Sequence, residues 1–124
     1  MLLLAFGDPH GEYGPLGRAA AKRRPDCIVL MGDLSADRDP VPLHEAIGDV
    51  SDLGIPLFWI HGNHEDDTPA HHDAVFEGTL AHLGLHGSVV EVCGVRLAGL
   101  GGVFRGRVWH PQDPAAAEPR FRTP

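Results

Sequence analysis

Cys27-Ile28-Val29-Leu30-Met31-Gly32-Asp33 is the stretch that decides the fold: an unbroken apolar run of strand length ends in a glycine and a carboxylate. A continuous run, rather than an alternating one, predicts a strand covered on both faces in a parallel sheet. The same pattern occurs on either side of it. Leu2 to Phe6 leads into Asp8-Pro9-His10, and Leu57-Phe58-Trp59-Ile60 leads into Gly62-Asn63-His64-Glu65, with Pro56 acceptable at the first position of its strand.

The segments between these runs read as helices. Leu16, Ala19, Ala20 and Arg23 predict a short helix within Gly14 to Arg24, stopped by Pro25, with Lys22-Arg23-Arg24 at the negative pole of its dipole. Leu43, Ala46, Ile47, Val50 and Leu53 recur at helical spacing, entered through Pro40 and Pro42 and left through Gly54 and Pro56. Gly48 inside that helix costs it about 1 kcal/mol. Right-handed crossovers then give three parallel strands with helices against them, an α/β fold with a βαβαβ core. All three polar motifs fall at carboxyl ends of strands, the edge where open α/β sheets bind ligands.

Further along, Thr68-Pro69 opens a helix towards Leu83 that Gly78 interrupts, and Val89 to Val92 and Val95 to Leu100 flank Cys93-Gly94 as a β-hairpin expected to extend the sheet. Residues 1–109 read as one domain, and 110–124, with Pro111, Pro114, Pro119 and Pro124, as an extended Pro-rich tail. A length of 124 residues fits one modest core. Ten Lys and Arg against 17 Asp and Glu, a net charge of −7, argue against an extensive nucleic-acid surface. No apolar stretch is long enough to span a bilayer and Met1-Leu2-Leu3-Leu4 lacks a leader's charged region, so a soluble cytoplasmic protein is expected, with no membrane partner. Cys27 and Cys93 lack a CxxC spacing and read as buried structural thiols.

The motifs carry the chemistry. Asp8 and His10 can both turn onto one cation, Asp33 from the neighbouring strand can supply a bridging carboxylate, and Asn63 adds a neutral oxygen. Oxygen and imidazole donors without thiolate suit manganese, iron, cobalt or zinc. Two such ions about 3.5–4 Å apart would clamp a phosphoryl group and turn a bridging water into a hydroxide for in-line attack. His64 is placed to protonate the leaving oxygen or stabilise the charged transition state.

The series FGDPH, MGDL and HGNHE resembles the calcineurin-like metallophosphoesterases. The resemblance covers residues 2 to 65 and, in general pattern, Val89 to Gly102. It implies one half of a four-layer αββα sandwich and a hydrolase acting on a phosphomonoester or phosphodiester. It further implies Asp8, His10 and Asp33 as ligands of one metal, Asp33 and Asn63 as ligands of a second, and His64 as the catalytic acid. Two departures stand out. Family members place an Asp-Arg pair to orient the histidine and hold phosphate, at a register occupied here by Ala36, with Asp37 and Arg38 one residue later. The Gly-His-x-His that completes the family's metal sphere does not occur in this chain.

The shortfall leaves alternatives open. A truncated-looking phosphoesterase leads; a non-catalytic metal- or phosphate-binding remnant or regulatory module, holding one metal at most, is the rival. Half a sandwich also predicts an exposed apolar sheet face suited to self-association. His71, His72, His82, His86 and His110 read as exposed or packing residues, His61 as a strand-end residue and His44 as helix surface. Arg105, Arg107 and Trp109 read as a solvated loop with a lesser chance of phosphate contact.

Overall fold

The computed structural model describes residues 1–103. The loop holding Arg105, Arg107 and Trp109, His110 and the Pro-rich segment lie outside the described residues. The three apolar runs form the expected parallel sheet, β1 (Leu3–Gly7), β2 (Cys27–Met31) and β3 (Leu57–Ile60), in the order β1-β2-β3. Gly7 stands beside Met31 and Met31 beside Ile60, so the strands end level and their three loops leave the same edge side by side. That register, set by apolar runs of matched length, is what turns motifs scattered along the sequence into neighbours.

Helix α1 (Gly14–Arg23) starts with Pro15 in its first turn and buries Leu16 and Ala20. Arg24 closes it in the left-handed conformation at φ 47°, its N–H donating to the Ala20 carbonyl at 2.8 Å. The single helix expected after β2 is instead two short ones, α2 (Leu43–Ala46) and α3 (Gly48–Ser51), parted at Ile47. Gly48 lacks the helix propensity to carry the ladder through, yet Leu43, Ile47 and Val50 still reach the core. After β3, a 3-10 turn (His64–Asp66) precedes α4 (Pro69–Phe76), whose cap Thr68 accepts the His71 N–H at 3.3 Å. The helix stops at Glu77, and a further 3-10 turn (Ala81–Leu83) follows.

Leu4, Phe6, Ile28, Leu30 and Trp59 face the helices and pack with Leu16, Ala20, Ile47, Val50 and Val75. Trp59 sits at the centre, its indole N–H donating to the Leu80 carbonyl at 2.8 Å and its ring edge-on to Phe76 at 5.3 Å. The other sheet face stays partly open, as half a sandwich predicts, and is not covered as the continuous apolar runs predict. Leu3, Ala5, Val29, Met31 and Ile60 line an open apolar cleft of about 380 Å³ with Leu97 and Leu100, and Met31 remains 46% exposed.

The reason lies in the hairpin, β4 (Val89–Val92) and β5 (Val95–Ala98), which forms a separate two-stranded sheet instead of extending the first. Strand pairing with the first sheet is limited, among the described residues, to a single parallel bridge of Gly84 with Trp59 and the Leu85 N–H donated to the Trp59 carbonyl at 2.8 Å; beyond it His86 makes one isolated parallel bridge to Gly99. Cys93 and Gly94 make the two-residue turn as expected, both at positive φ. That position leaves Cys93 exposed, against the expected burial, whereas Cys27 is fully buried. Among the described residues, no helix is long and apolar enough to cross a membrane.

Candidate metal centre

The three loops are laced together through their backbones. Asp8 donates to the Gly32 carbonyl at 3.2 Å, His10 to Asp33 at 2.9 Å and Gly11 to Leu34 at 3.2 Å, while Gly32 donates to Ile60 at 3.0 Å. Asp8, His10 and Asp33 adopt left-handed φ values of 50°, 45° and 53°. Such a conformation costs roughly 1–2 kcal/mol per L-residue. It persists where surrounding structure over-determines it, as at ligand-holding sites.

Asp33 is aimed by the β3 loop. Its Oδ1 accepts the N–H groups of Asn63 at 2.9 Å and His64 at 3.1 Å, while Oδ2 faces His10 Nε2 at 4.0 Å. Gly62 makes this approach possible, because a β-carbon there would lie 2.6 Å from the Asp33 amide nitrogen.

Beneath Asp33 lies Glu65, whose side chain is fully buried. Its Oε1 accepts Leu34 N–H at 2.5 Å and Ser35 N–H at 3.4 Å, and its Oε2 accepts Gly62 N–H at 2.6 Å and Asp33 N–H at 3.2 Å. Tyr13 completes the support by donating its hydroxyl to the Leu34 carbonyl at 2.9 Å. Burial first, and the Glu65 charge second, push the Tyr13 hydroxyl above its ordinary range.

Two imidazoles meet over Asp33. His10 and His64 pack edge to face with centroids 4.8 Å apart. His10 Nδ1 lies 2.6 Å from Asp37 Oδ1, and His64 Nδ1 lies 2.6 Å from Asp67 Oδ2. The hydrogen bond with His10 holds the Asp37 carboxyl below its ordinary value. Each ring's second nitrogen, Nε2, is thereby left for another partner.

The structure brings Asp8, His10 and Asp33 together as one group of donor atoms within 4.8 Å of one another, and His10, Asp37 and His64 as a second such group. Asn63 joins them through its backbone, and Arg38 is exposed. The later histidines stand apart. His71 takes the packing role of the two expected for it: it is buried and meets its own helix cap at Thr68 Oγ1, 2.7 Å away, and the loop after β2 at the Ala36 carbonyl, 3.1 Å away. His86 Nδ1 accepts Gly101 N–H at 3.0 Å. His61, packed on His86 and Phe76, has a buried Nδ1 with no hydrogen-bond partner among the described residues, and desolvation lowers its pKa.

Reading the sequence missed Glu65, Asp67 and Tyr13. For Glu65 a signal existed: Gly62-x-x-Glu65 has the spacing at which a carboxylate reaches back to the N–H that opens a turn. Asp67 stands three residues after His64, one helical turn away. Nothing local marks Tyr13, whose partner is distant in sequence.

Comparison with known proteins bears on this geometry. An uncharacterised protein of Haemophilus influenzae is 32% identical over 116 residues, 90% of this chain and 47% of its own length. A probable cyclic nucleotide phosphodiesterase of Pseudoalteromonas is 33% identical over 72 residues, and a UDP-2,3-diacylglucosamine hydrolase of Escherichia coli is 42% identical over 55 residues. These cover 49% and 38% of this chain and 28% and 23% of the relatives, so the chain spans less than half the length of the curated proteins it matches. A crystal structure with a TM-score of 0.58 and 18% identity, aligned over 88% of this chain and 56% of the other, shares the fold. The family model for calcineurin-like phosphoesterases matches residues 1–113. With the half-sandwich architecture and the Asp-His edge both in place, the chain belongs to the calcineurin-like phosphoesterase family.

Proposed function

We propose that this chain carries the metal-holding part of a phosphoesterase that hydrolyses a phosphomonoester or phosphodiester. The observation supporting this is the convergence of Asp8, His10 and Asp33 within 4.8 Å at the carboxyl edge of the parallel sheet. In this reading Asp8, His10 and Asp33 hold one divalent cation, and Asp33 with Asn63 holds a second. The oxygen and imidazole donors fit manganese, iron, cobalt or zinc. When bound, such cations supply Lewis acidity and an activated water.

The chain's own residues do the rest. Asp37 holds the His10 ring by Nδ1 and so directs Nε2 inwards. His64, held by Asp67, presents Nε2 to protonate the leaving oxygen. Arg38, exposed beside Asp37, is the residue assigned to substrate phosphate. One curated relative is a probable cyclic nucleotide phosphodiesterase, which makes a phosphodiester the first substrate to try.

A second reading, a non-catalytic module holding one cation, draws on a specific feature. Asp33 Oδ1 already accepts two N–H groups, leaving Oδ2 as its open donor. Elemental analysis after manganese loading, with turnover of an aryl phosphodiester, separates the two. Two equivalents with turnover favour the phosphoesterase, and one equivalent without turnover favours the module. Asp33→Asn is expected to abolish stoichiometric binding in either; unchanged metal content in that variant would sink the assignment.

A further inference from the structure

We propose that Glu65 is a positioning residue that sets the metal centre before any metal binds; this rests on the proposed function only for what the centre holds. Glu65 belongs to neither group of candidate metal donors found among the described residues. Its carboxylate accepts backbone N–H groups from two separate loops, Asp33, Leu34 and Ser35 after β2 and Gly62 after β3. The side chain is fully buried, so these four donors replace the water the carboxylate gave up. Because they are all donors, they suit an acceptor-only carboxylate and conflict with an amide.

The geometry makes the coupling to Asp33 direct. Asp33 N–H is held from below by Glu65 Oε2, and Asp33 Oδ1 is held from the side by Asn63 and His64, the two residues that follow Gly62. The same Oε2 therefore grips both ends of the contact between the two loops, Asp33 and Gly62. Leu34, which Glu65 holds by its N–H, in turn accepts Gly11 N–H and the Tyr13 hydroxyl at its carbonyl, carrying the constraint into the loop of Asp8 and His10. A single buried carboxylate thus sets the separation of all three ligand-bearing loops. Holding donors in a productive arrangement in advance removes an ordering cost from ligand binding.

The test has a part that needs no metal. In chelator-treated wild-type protein, hydrogen exchange followed by NMR is expected to show Leu34 and Gly62 amides protected as strongly as those of β2, with protection unchanged by zinc. Free exchange of these amides before metal addition overturns the proposal, whatever the metal content of the protein. In the second part, manganese affinity is measured by calorimetry for wild type, Glu65→Gln and Glu65→Asp, each with a thermal melt. Glu65→Gln is expected to weaken binding at least tenfold while the variant still melts cooperatively, with partial recovery in Glu65→Asp. A folded Glu65→Gln that binds manganese within twofold of wild type overturns the proposal. Should neither variant fold, the exchange experiment alone decides. Wild type that binds no metal but protects both amides refutes the proposed function and leaves the Glu65 bracing standing.

Discussion

Gly62 presses against Asp33 so closely that a β-carbon on it would meet the Asp33 amide nitrogen at 2.6 Å and the Asp33 carboxylate closer still. Both neighbours are backbone or tethered carboxylate, with no flexible end to swing away. Gly62→Ala therefore displaces Asp33 from its N–H donors. The expected result is a loss of about 1–3 kcal/mol in urea unfolding and at least a tenfold weaker manganese affinity by calorimetry. Wild-type affinity in this variant would show that Asp33 is not the shared ligand.

Asp37 meets Nδ1 of His10 at 2.6 Å and is itself exposed. Partners of this kind fix the orientation of a ligating ring, and their loss costs about 10–100-fold in metal affinity. Asp37→Ala is expected to fall in that range with an unchanged melting temperature. Calorimetry with manganese beside a thermal melt checks it, and undiminished affinity would mean that the ring is oriented by its packing on His64 alone.

Tyr13 makes stability fall at alkaline pH. Its hydroxyl pKa is raised above the ordinary 10.0 by burial and by Glu65, so the unfolded chain loses that proton first. The contribution is fully present below pH 10.0 and declines as pH rises above it, by up to about 1.4 kcal/mol per pH unit. Tyr13→Phe removes this slope and loses the bond to Leu34, about 1 kcal/mol at neutral pH. Urea unfolding of both proteins between neutral and strongly alkaline pH tests this; parallel curves throughout would contradict it.

Trp59 is 2% exposed, hydrogen-bonded to Leu80 and packed edge-on against Phe76. Trp59→Ala empties the middle of the core and is expected to cost about 3–5 kcal/mol. Trp59→Phe should cost less but leave the Leu80 carbonyl unpaired. Equilibrium unfolding of the three proteins gives the order wild type, Phe, Ala; an Ala variant within 1 kcal/mol of wild type would place the core elsewhere.

The parallel core was legible because its signal is local: each apolar run is one strand and each polar motif ends it, as with Cys27 to Asp33. The grouping of Asp8, His10 and Asp33 followed from the level strand ends. Less legible was whatever depended on distant partners. The pairing of His10 with Asp37 crosses 27 residues, and the grip of Glu65 on Leu34 crosses 31. The open sheet face agrees with the exposed face that half a sandwich predicts and not with cover on both sides: an apolar strand says that it has two apolar sides, and not what lies against each. Which of its two expected roles His71 takes was not legible either, because helical spacing on α4 is weak and one of its partners, the Ala36 carbonyl, lies 35 residues back in the chain.

The left-handed backbone at Asp8, His10 and Asp33 sets tolerance to heat against chemistry. At Asp8, which is exposed, glycine would relieve its unfavourable φ. A library of this gene selected for thermal survival alone is thus driven to discard a proposed ligand, and, on the proposed function, one selected for metal retention is driven to keep the less robust backbone. Position 8 becomes the place where the two selections visibly diverge, a record of which demand a given homologue has met.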